Sequence, residues 1–451
     1  MINTLYLPEL REMLDLSDVE GLREFCTALH PARTAEFMEG LTAAESWTVL
    51  QAADPTTRVE IFGYLDHQKQ IEIIETCDPE SISRLIADMP ADDRVDLLNG
   101  VDPEIARNLL SLLPSEQRRD VLRLQAYPEG TAGAVMTTEV AKLPESLTVR
   151  SALDELSRIA ENLETIYYIY IVDDENHLRG AVSARQLVTH LNKPNMPITD
   201  LMERNLVTVE VTDDQEAVAA KVADYDFLAI PVVDHEQHLL GIITHDDVID
   251  VLQREATEDA YLAGGVGRLE EGYLSIPWFE FTVHRAQWLA ILFVGAMGTI
   301  LALRTYHETI EQVAWLVFFL PLLVACGGNS GSQSATLIIR ALATGEVTPA
   351  RWWAVVWREL RTGLSLGLFL GLIAYVIASL MISPIDALVI PITLVMVVTC
   401  STLLGSLLPM LFARLGWDPA LMSTPFVTVI IDILGIVIYM NVALLMLREF
   451  P

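Results

Sequence analysis

One carboxylate stands in the middle of a segment that is otherwise apolar. Asp432 lies within PFVTVIIDILGIVIYM, residues 425–440. A charge at the centre of a bilayer costs roughly 2.5–3.5 kcal/mol on insertion scales, so such a group is expected to face a water-filled or protein-lined path. On a helix, Thr428, Gly435 and Tyr439 would share its face and form a small and polar stripe. The alternative is a protonated Asp432 that makes one hydrogen bond between helices.

The ligand types near this acid favour magnesium. Mg²⁺ is usually held by one or two carboxylates and keeps several of its waters. One carboxylate per chain is a poor site for a bare divalent ion, but two copies around a symmetry axis would form an acidic ring. Zinc and copper prefer His and Cys ligands, and the four cysteines are far apart with no CxxC pair.

The sequence gives little support to catalysis or to ATP-driven pumping. No nucleophile–base pair or catalytic metal spacing stands out, which argues against an enzyme. No phosphate-cradling loop of the Walker type is present either.

A second notable stretch, GGNSGSQSATLIIRAL at 327–342, places glycines and hydroxyls inside another apolar segment. Such residues allow helices to approach closely. They also allow a broken helix whose free backbone groups line a cavity. The two interpretations are compatible.

The elements that position these residues are five apolar stretches, each long enough to cross a hydrocarbon core of about 30 Å. They run over residues 286–303, 313–339, 362–382, 387–413 and 420–447. An N-terminus in the cytoplasm and a C-terminus outside would put most flanking arginines on the inner side, as the positive-inside rule requires. The inner set is Arg285, Arg340, Arg351, Arg358, Arg361 and Arg414, against Arg304 and Arg448 outside.

Charge is distributed very unevenly along the chain. Residues 1–275 carry 52 acidic and 21 basic side chains, whereas residues 276–451 carry 9 and 8. An acidic surface repels nucleic acid and anionic lipid and attracts cations. The N-terminal segment mixes acids among its apolar residues and is not expected to be a signal peptide, so we expect this acidic part to lie in the cytoplasm.

A 24-residue repeat occupies the first part of the chain. Pro31, Pro55, Pro79 and Pro103 mark its period, and three of them follow an aspartate. An Asp-Pro pair suits a helix start, with Asp as the N-cap. Three series of apolar residues keep the same phase: Phe37/Ile61/Leu85/Leu109, Leu41/Leu65/Met89/Leu113 and Leu50/Ile74/Leu98/Leu122. The pattern predicts an all-α solenoid of short helix pairs.

A second repeat fills residues 131–255. IYIVDDENHLRGAVSARQLVTHL at 169–191 matches IPVVDHEQHLLGIITHDDVIDVL at 230–252. Two tandem β-α-β halves normally share one core. The pattern resembles a pair of CBS motifs, a module that often binds adenine nucleotides between its halves. Thr244 and Asp247 match the ribose-holding pair of that module, whereas the first half has Ser183 and Gln186. A purely structural CBS pair is the alternative.

Taken in order, the solenoid, the CBS pair, a charged helix and five spans resemble the MgtE magnesium channel family over essentially the whole chain. The motifs GGNSGSQSATLIIRAL and STPFVTVIIDILG carry the resemblance in the membrane part. It implies a helical domain over 1–130, tandem CBS motifs over 131–195 and 196–252, a connecting or plug helix over 253–275, and a five-helix transmembrane domain over 276–451. It also implies a bacterial plasma membrane location.

The resemblance further implies a homodimer whose pore lies between the subunits. Asp432 from each chain would hold hydrated Mg²⁺ near Thr428, and Thr424 stands where the family often has Asn. Cytosolic Mg²⁺ would be sensed by acidic side chains and would close the channel by negative feedback. The matching carboxylates are Glu255, Glu258, Asp259, Asp418, Asp214, Glu216, Asp226, Asp247, Asp250, Glu60, Asp92 and Asp96. Family contacts to ATP match Tyr170, Arg185, Val207, Phe227 and Pro231.

Three other interpretations stay open on the sequence. The first is a CBS-regulated channel or secondary transporter for another divalent cation such as Co²⁺ or Mn²⁺. The second is a CBS-regulated anion channel or secondary transporter, although the buried charge that the sequence places in a span is negative. The third is a membrane-anchored sensor without transport.

Overall fold

The computed structural model describes residues 5–160, 163–266, 276–419 and 424–447. The chain forms two compact units, residues 1–253 and 254–451. The first unit holds the acidic repeats, and the second holds the apolar helices.

The first unit begins with a series of short helices. Their bounds are α1 Leu7–Asp15, α2 Val19–Ala28, α3 Pro31–Met38, α4 Ala43–Ala52, α5 Pro55–Gly63, α6 His67–Thr76, α7 Pro79–Ala87, α8 Ala91–Gly100, α9 Pro103–Leu112 and α10 Ser115–Leu124. The predicted N-caps are confirmed. The carboxylates of Asp54, Asp78 and Asp102 accept backbone N–H groups in the first turns of α5, α7 and α9.

The in-phase apolar residues form the core of this helical series, with one exception. Ile61, Leu85 and Leu109 are 0–2% exposed, so the repeat buries the same face each time. Leu122 was predicted to be buried in the same way, but it is 58% exposed, and its neighbour Val121 is buried instead. Helix α10 ends the repeat, and no later repeat follows to cover that face.

Two similar α/β halves follow in the same unit. The first comprises β1 Val140–Pro144, α11 Val149–Ile159, β2 Thr165–Val172, β3 Leu178–Ser183 and α12 Ala184–Thr189. The second comprises β4 Val209–Glu210, α13 Gln215–Tyr225, β5 Ala229–Val233, β6 Leu239–Thr244 and α14 His245–Ala263. In each three-stranded sheet the middle strand is parallel to the first and antiparallel to the third. Tyr170 and Val140 pack with Ala229 and Ile242 in one buried cluster, which confirms a shared core.

Helix α14 is longer than the sequence pattern indicates. It is one continuous helix from the end of β6 to Ala263, so the connecting helix predicted from residue 253 continues the last helix of the second half. Residues 267–275 of that predicted segment, and the predicted outer residue Arg448, lie outside the described residues.

The second unit contains the apolar helices. They are α15 Trp278–Thr305, the short α16 His307–Gln312, α17 Leu316–Ala343, α18 Trp352–Met381, α19 Val389–Arg414 and α20 Thr424–Met446. Among the described residues, five of these helices are long and apolar enough to span a membrane. The glycine-rich stretch 327–342 lies within the continuous helix α17, so the predicted alternative of a broken helix is wrong.

Candidate cation sites

Asp432 lies on α20 against a glycine of α17. Its Oδ1 atom is buried, and no hydrogen-bond partner for it occurs among the described residues. A Cβ atom placed on Gly328 would lie 3.7 Å from this oxygen and 3.0 Å from Cγ2 of Thr428. The missing side chain at Gly328 therefore lets α17 approach both side chains closely. An acidic oxygen that is buried without a donor is suited to a cation or to its water shell.

Hydroxyl groups continue from this acid toward the start of α20. Thr428 donates through its hydroxyl to the carbonyl of Thr424, with an O–O distance of 2.9 Å. Ser332 of α17 lies 3.1 Å from the same hydroxyl oxygen. Because the Thr428 proton is used toward Thr424, Ser332 is the donor of this second bond. Ser332 is a residue that the sequence analysis did not single out, although its motif was noted.

The rest of the predicted polar stripe is used for packing. Tyr439 is fully buried and donates its hydroxyl to the carbonyl of Leu316 at 3.1 Å. Gly435 is also buried and lies against Val397 of α19. The polar part of the stripe is therefore the portion from Thr428 to Asp432.

Small residues bring the helices around the acid into close contact. A Cβ atom on Gly331 would lie 2.0 Å from Cδ1 of Ile431, and one on Gly405 would lie 2.2 Å from the carbonyl oxygen of Gly331. Larger side chains would collide at these positions. This confirms the predicted close approach of helices at the glycine-rich stretch.

A second buried acid in the membrane part was missed by the sequence analysis. Glu359 of α18 is 8% exposed, and its Oε2 accepts a hydrogen bond from Ser334 of α17 at 2.8 Å. Thr402 of α19 donates to the backbone carbonyl of Glu359 at 3.3 Å. Glu359 stands in the arginine-rich sequence WRELR, before the apolar stretch 362–382. This pattern predicts a solvent-exposed residue at the end of the span.

Four of the predicted regulatory carboxylates come together in the second unit. Burial raises the pKa of Asp259 on α14. The negative charges of Asp418, Glu255 and Glu258 raise this pKa further, and the positive charge of Arg340 opposes them. Each of these three acids is close enough to Asp259 to repel its charge, so a bound cation would stabilise their grouping.

A second acidic group lies in the first unit. Burial raises the pKa of Asp92 on α8 well above its ordinary value, and the charges of Asp247 on α14 and of Asp93 contribute. The Oδ1 atom of Asp92 is buried without a partner among the described residues. Burial also raises the pKa of Glu164 to about 7, and the charges of Asp247 and Asp93 are again among the causes. Glu164 and Asp93 were not predicted. Neither stands in a motif, and the fold brings them to Asp92.

The remaining predicted regulatory acids are exposed on the first unit. They are Glu60, Asp96, Asp214, Glu216, Asp226 and Asp250. Asp214 is the N-cap of α13 and accepts the backbone N–H groups of Glu216 and Ala217 at 2.9 and 3.3 Å. Asp226 ends that helix with a left-handed φ of 53°. Nowhere in the described parts of the chain do three His, Cys, Asp or Glu side chains converge as ligands of one metal ion.

The predicted nucleotide residues lie in and around the CBS pair. Tyr170 is 2% exposed, and its hydroxyl has no partner among the described residues. Phe227 stacks on Tyr225 with ring centroids 5.4 Å apart. Pro231 is buried in β5, Val207 is half-buried and Arg185 is exposed. A buried hydroxyl without an acceptor is a position where a polar ligand would fit.

The two candidate ribose pairs are hydrogen bonded within themselves. The hydroxyl and the backbone N–H of Thr244 both donate to the carboxylate of Asp247. In the first half, the N–H of Ser183 donates to the side-chain oxygen of Gln186 at 2.7 Å, and the N–H of Gln186 donates back to Ser183 at 3.2 Å. Gln186 therefore keeps the capping geometry but lacks the negative charge.

Models of three known domain families match successive parts of the chain. The MgtE intracellular N domain matches residues 29–130, and the CBS domain matches residues 132–193 and 198–254. The MgtE model, described as a divalent cation transporter, matches residues 320–442.

Full-length relatives and solved structures agree with these matches. The magnesium transporter MgtE of Thermus thermophilus is 37% identical over 97% of this chain and 98% of its own length. That of Enterococcus faecalis is 36% identical over 73% of this chain and 72% of its own. The soluble part of a magnesium transporter superposes with a TM-score of 0.52 at 37% identity, covering 55% of this chain and 97% of that structure. The cytosolic domain of the Mg²⁺ channel MgtE in complex with ATP gives 0.51 at 36% identity, covering 54% and 98%.

Proposed function

Since this chain belongs to the MgtE family of divalent cation transporters, we propose that it conducts Mg²⁺ through the membrane and that its acidic domains regulate the flow. The observation that carries this proposal is the buried Oδ1 of Asp432, which has no donor among the described residues and lies beside Gly328. A carboxylate in such a place is stabilised by a passing cation. The chain is thus a magnesium transporter of the membrane.

Asp432 is the proposed ion ligand, with oxygens of Thr428 and Thr424 nearby. A hydrated Mg²⁺ makes contact through its waters, so a few oxygens at wider spacing suffice. One carboxylate would not balance the charge of the ion, and we propose that two chains pair so that each contributes its Asp432. A homodimer with the pore at the subunit interface meets this requirement.

The two acidic groups are the proposed sensors of cytosolic Mg²⁺. Without the ion, repulsion around Asp92 and Asp247, and around Asp259 and Asp418, opposes the compact arrangement. Bound Mg²⁺ would remove this repulsion and favour the compact state. Closure then follows from the higher affinity of the ion for that state, which is negative feedback by population shift. The exposed acids on the first unit are proposed to add to the same effect between paired chains.

We propose that the N-terminus lies in the cytoplasm and the C-terminus outside, because this orientation puts most flanking arginines on the inner side.

ATP is proposed to bind the CBS pair. The hydroxyl of Tyr170, which has no partner among the described residues, and the ATP complex of the related cytosolic domain support this proposal.

The test is Mg²⁺ uptake into liposomes that contain the full chain. Asp432→Asn keeps the shape of the side chain and removes its charge, and we expect uptake to fall at least tenfold. Glu308→Gln removes an exposed acid of α16 and serves as the control, with uptake unchanged. Uptake that survives in Asp432→Asn would refute the role of this acid. An unsubstituted chain that shows no Mg²⁺ uptake would favour the membrane-anchored sensor without transport. Parallel assays with Mn²⁺ and Co²⁺ decide between Mg²⁺ and another divalent cation.

A further inference from the structure

The C-terminal end of α14 leaves one backbone carbonyl for an outside partner. The helix closes with Gly265 in a left-handed conformation, φ 72°. The N–H groups of Gly265 and Val266 donate to the carbonyls of Leu262 and Tyr261, both at 2.9 Å. This Schellman closure satisfies those two carbonyls. The carbonyl of Ala263 is not part of the closure, and a last-turn carbonyl has no partner within its own helix.

That carbonyl is bonded by a side chain at the start of the last span. Thr424 donates through its hydroxyl to the oxygen of Ala263 at 3.0 Å. Thr424 is the first residue of α20, so the partially negative end of α14 meets the partially positive end of α20. The two helix ends therefore attract each other, and the hydroxyl fixes their contact.

The same threonine is linked to the proposed ion site. Its carbonyl accepts the hydroxyl of Thr428, which accepts the hydroxyl of Ser332. Thr428 lies one helical turn before Asp432. A continuous series of hydrogen bonds thus runs from the end of α14 to the turn that carries the acid.

We propose that the hydroxyl of Thr424 is a latch that holds the end of α14 against α20 and thereby stabilises the closed channel. The inference rests on the proposed function, in which α14 carries the Mg²⁺-sensing acids Glu255, Glu258 and Asp259. Mg²⁺ at those acids and the latch at Ala263 act on the same helix, so their contributions to closure add. Loss of the hydroxyl lowers the share of closed channels at a given cytosolic Mg²⁺ concentration.

The experiment compares three variants of the full chain by patch recording, each normalised to its own current without internal Mg²⁺. Thr424→Val keeps the shape and removes the donor, and it is expected to raise the half-closing Mg²⁺ concentration about threefold to tenfold, as the loss of one hydrogen bond implies. Thr424→Ser keeps the donor and is expected to restore the value to within about twofold. Thr362→Val is the control, because that hydroxyl donates to the backbone carbonyl of Arg358 in its own helix.

A second readout separates failure of the latch from failure of the proposed function. Amide hydrogen exchange of residues 255–263 is measured in full-length protein at saturating Mg²⁺, and it is expected to become about threefold to tenfold faster in Thr424→Val and to stay unchanged in Thr362→Val. Faster exchange in a chain that passes no Mg²⁺ would support the latch and refute the transport. An unchanged exchange rate and half-closing concentration in a conducting Thr424→Val channel would refute the latch alone. A Thr424→Ser variant that behaves like Thr424→Val would also refute it.

Discussion

Asp92 of helix α8 and Asp247 of helix α14 lie beside each other in the first unit, although they belong to different repeats of the sequence. Burial raises the pKa of both carboxyls, and the charge of Asp247 raises that of Asp92 further. At Asp247 the charge of Asp246 adds to the effect of burial, and hydrogen bonds with Thr244 and Asp92 only partly offset it. Two acids held together in this way oppose the fold unless protons or cations neutralise them.

The stability of residues 1–253 is expected to fall as the pH rises from about 5 to 8 without Mg²⁺. The folded-state pKa values of Asp92, Asp247 and Glu164 lie above their ordinary values, so the folded chain holds more protons than the unfolded chain in this window. That stabilisation is present at low pH and is lost as the pH rises through the folded pKa, about 7 for Glu164. The expected loss is about 2 kcal/mol, or ~4–8 °C in Tm. Thermal unfolding measures it.

Two changes are expected to flatten this pH dependence. Saturating Mg²⁺ supplies positive charge at high pH, and Glu164→Gln removes one titrating group. Glu60→Gln removes an exposed acid and is the matched control. A Tm that stays constant or rises from pH 5 to 8 without Mg²⁺ would contradict the explanation.

Neutralising the acids near the end of α14 should separate gating from conduction. The triple change Glu258→Gln, Asp259→Asn and Asp418→Asn removes the repulsion that a bound ion relieves. We expect Mg²⁺ currents to persist and the half-closing Mg²⁺ concentration to rise at least tenfold in patch recordings. Glu308→Gln serves again as the exposed control. Unchanged inhibition by Mg²⁺ in the triple variant would argue against these acids as sensors.

A side chain at Gly328 should obstruct the ion. The Cβ atom of Gly328→Ala would lie 3.7 Å from Oδ1 of Asp432 and 3.0 Å from Cγ2 of Thr428. It would occupy space next to the proposed ligand, and we expect Mg²⁺ uptake into liposomes to fall severalfold. Gly435→Ala is the matched control, because its Cβ would meet Val397 at an ordinary contact distance of 3.7 Å. Equal uptake by the two variants would place the ion elsewhere.

Glu359 should matter for the stability of the helix bundle. Glu359→Ala removes the acceptor of the Ser334 hydroxyl and is expected to lower the free energy of unfolding in detergent by about 1–3 kcal/mol. Glu359→Gln retains a side-chain oxygen that can accept the same bond, so its loss should be smaller. Thermal unfolding of the full chain compares them. If both variants lose the same amount, the charge rather than the hydrogen bond is what stabilises this contact.

Much of the fold could be predicted from local patterns. The spacing of the Asp-Pro pairs predicted the helix starts correctly, because an N-cap depends on a carboxylate and on backbone groups within one turn. The repeated strand and helix pattern predicted two halves with a shared core, and the apolar stretches predicted five long helices. In each case the determining interactions lie close together in sequence or follow from burial of a periodic face.

The sequence by itself also determined that Asp432 would be an acid among apolar residues, since charge and hydropathy are properties of the residues themselves. The tertiary structure decided which groups meet that acid and its neighbours: Gly328 across from Asp432, Ser332 on Thr428 and Ala263 on Thr424. It likewise decided that Glu164 joins Asp92 and that Glu359 is buried, although Glu359 reads as a solvated flank. These contacts join residues far apart in the chain. They depend on how the helices pack against one another and on their rotation about their axes. The residue pattern within one segment does not predict these contacts.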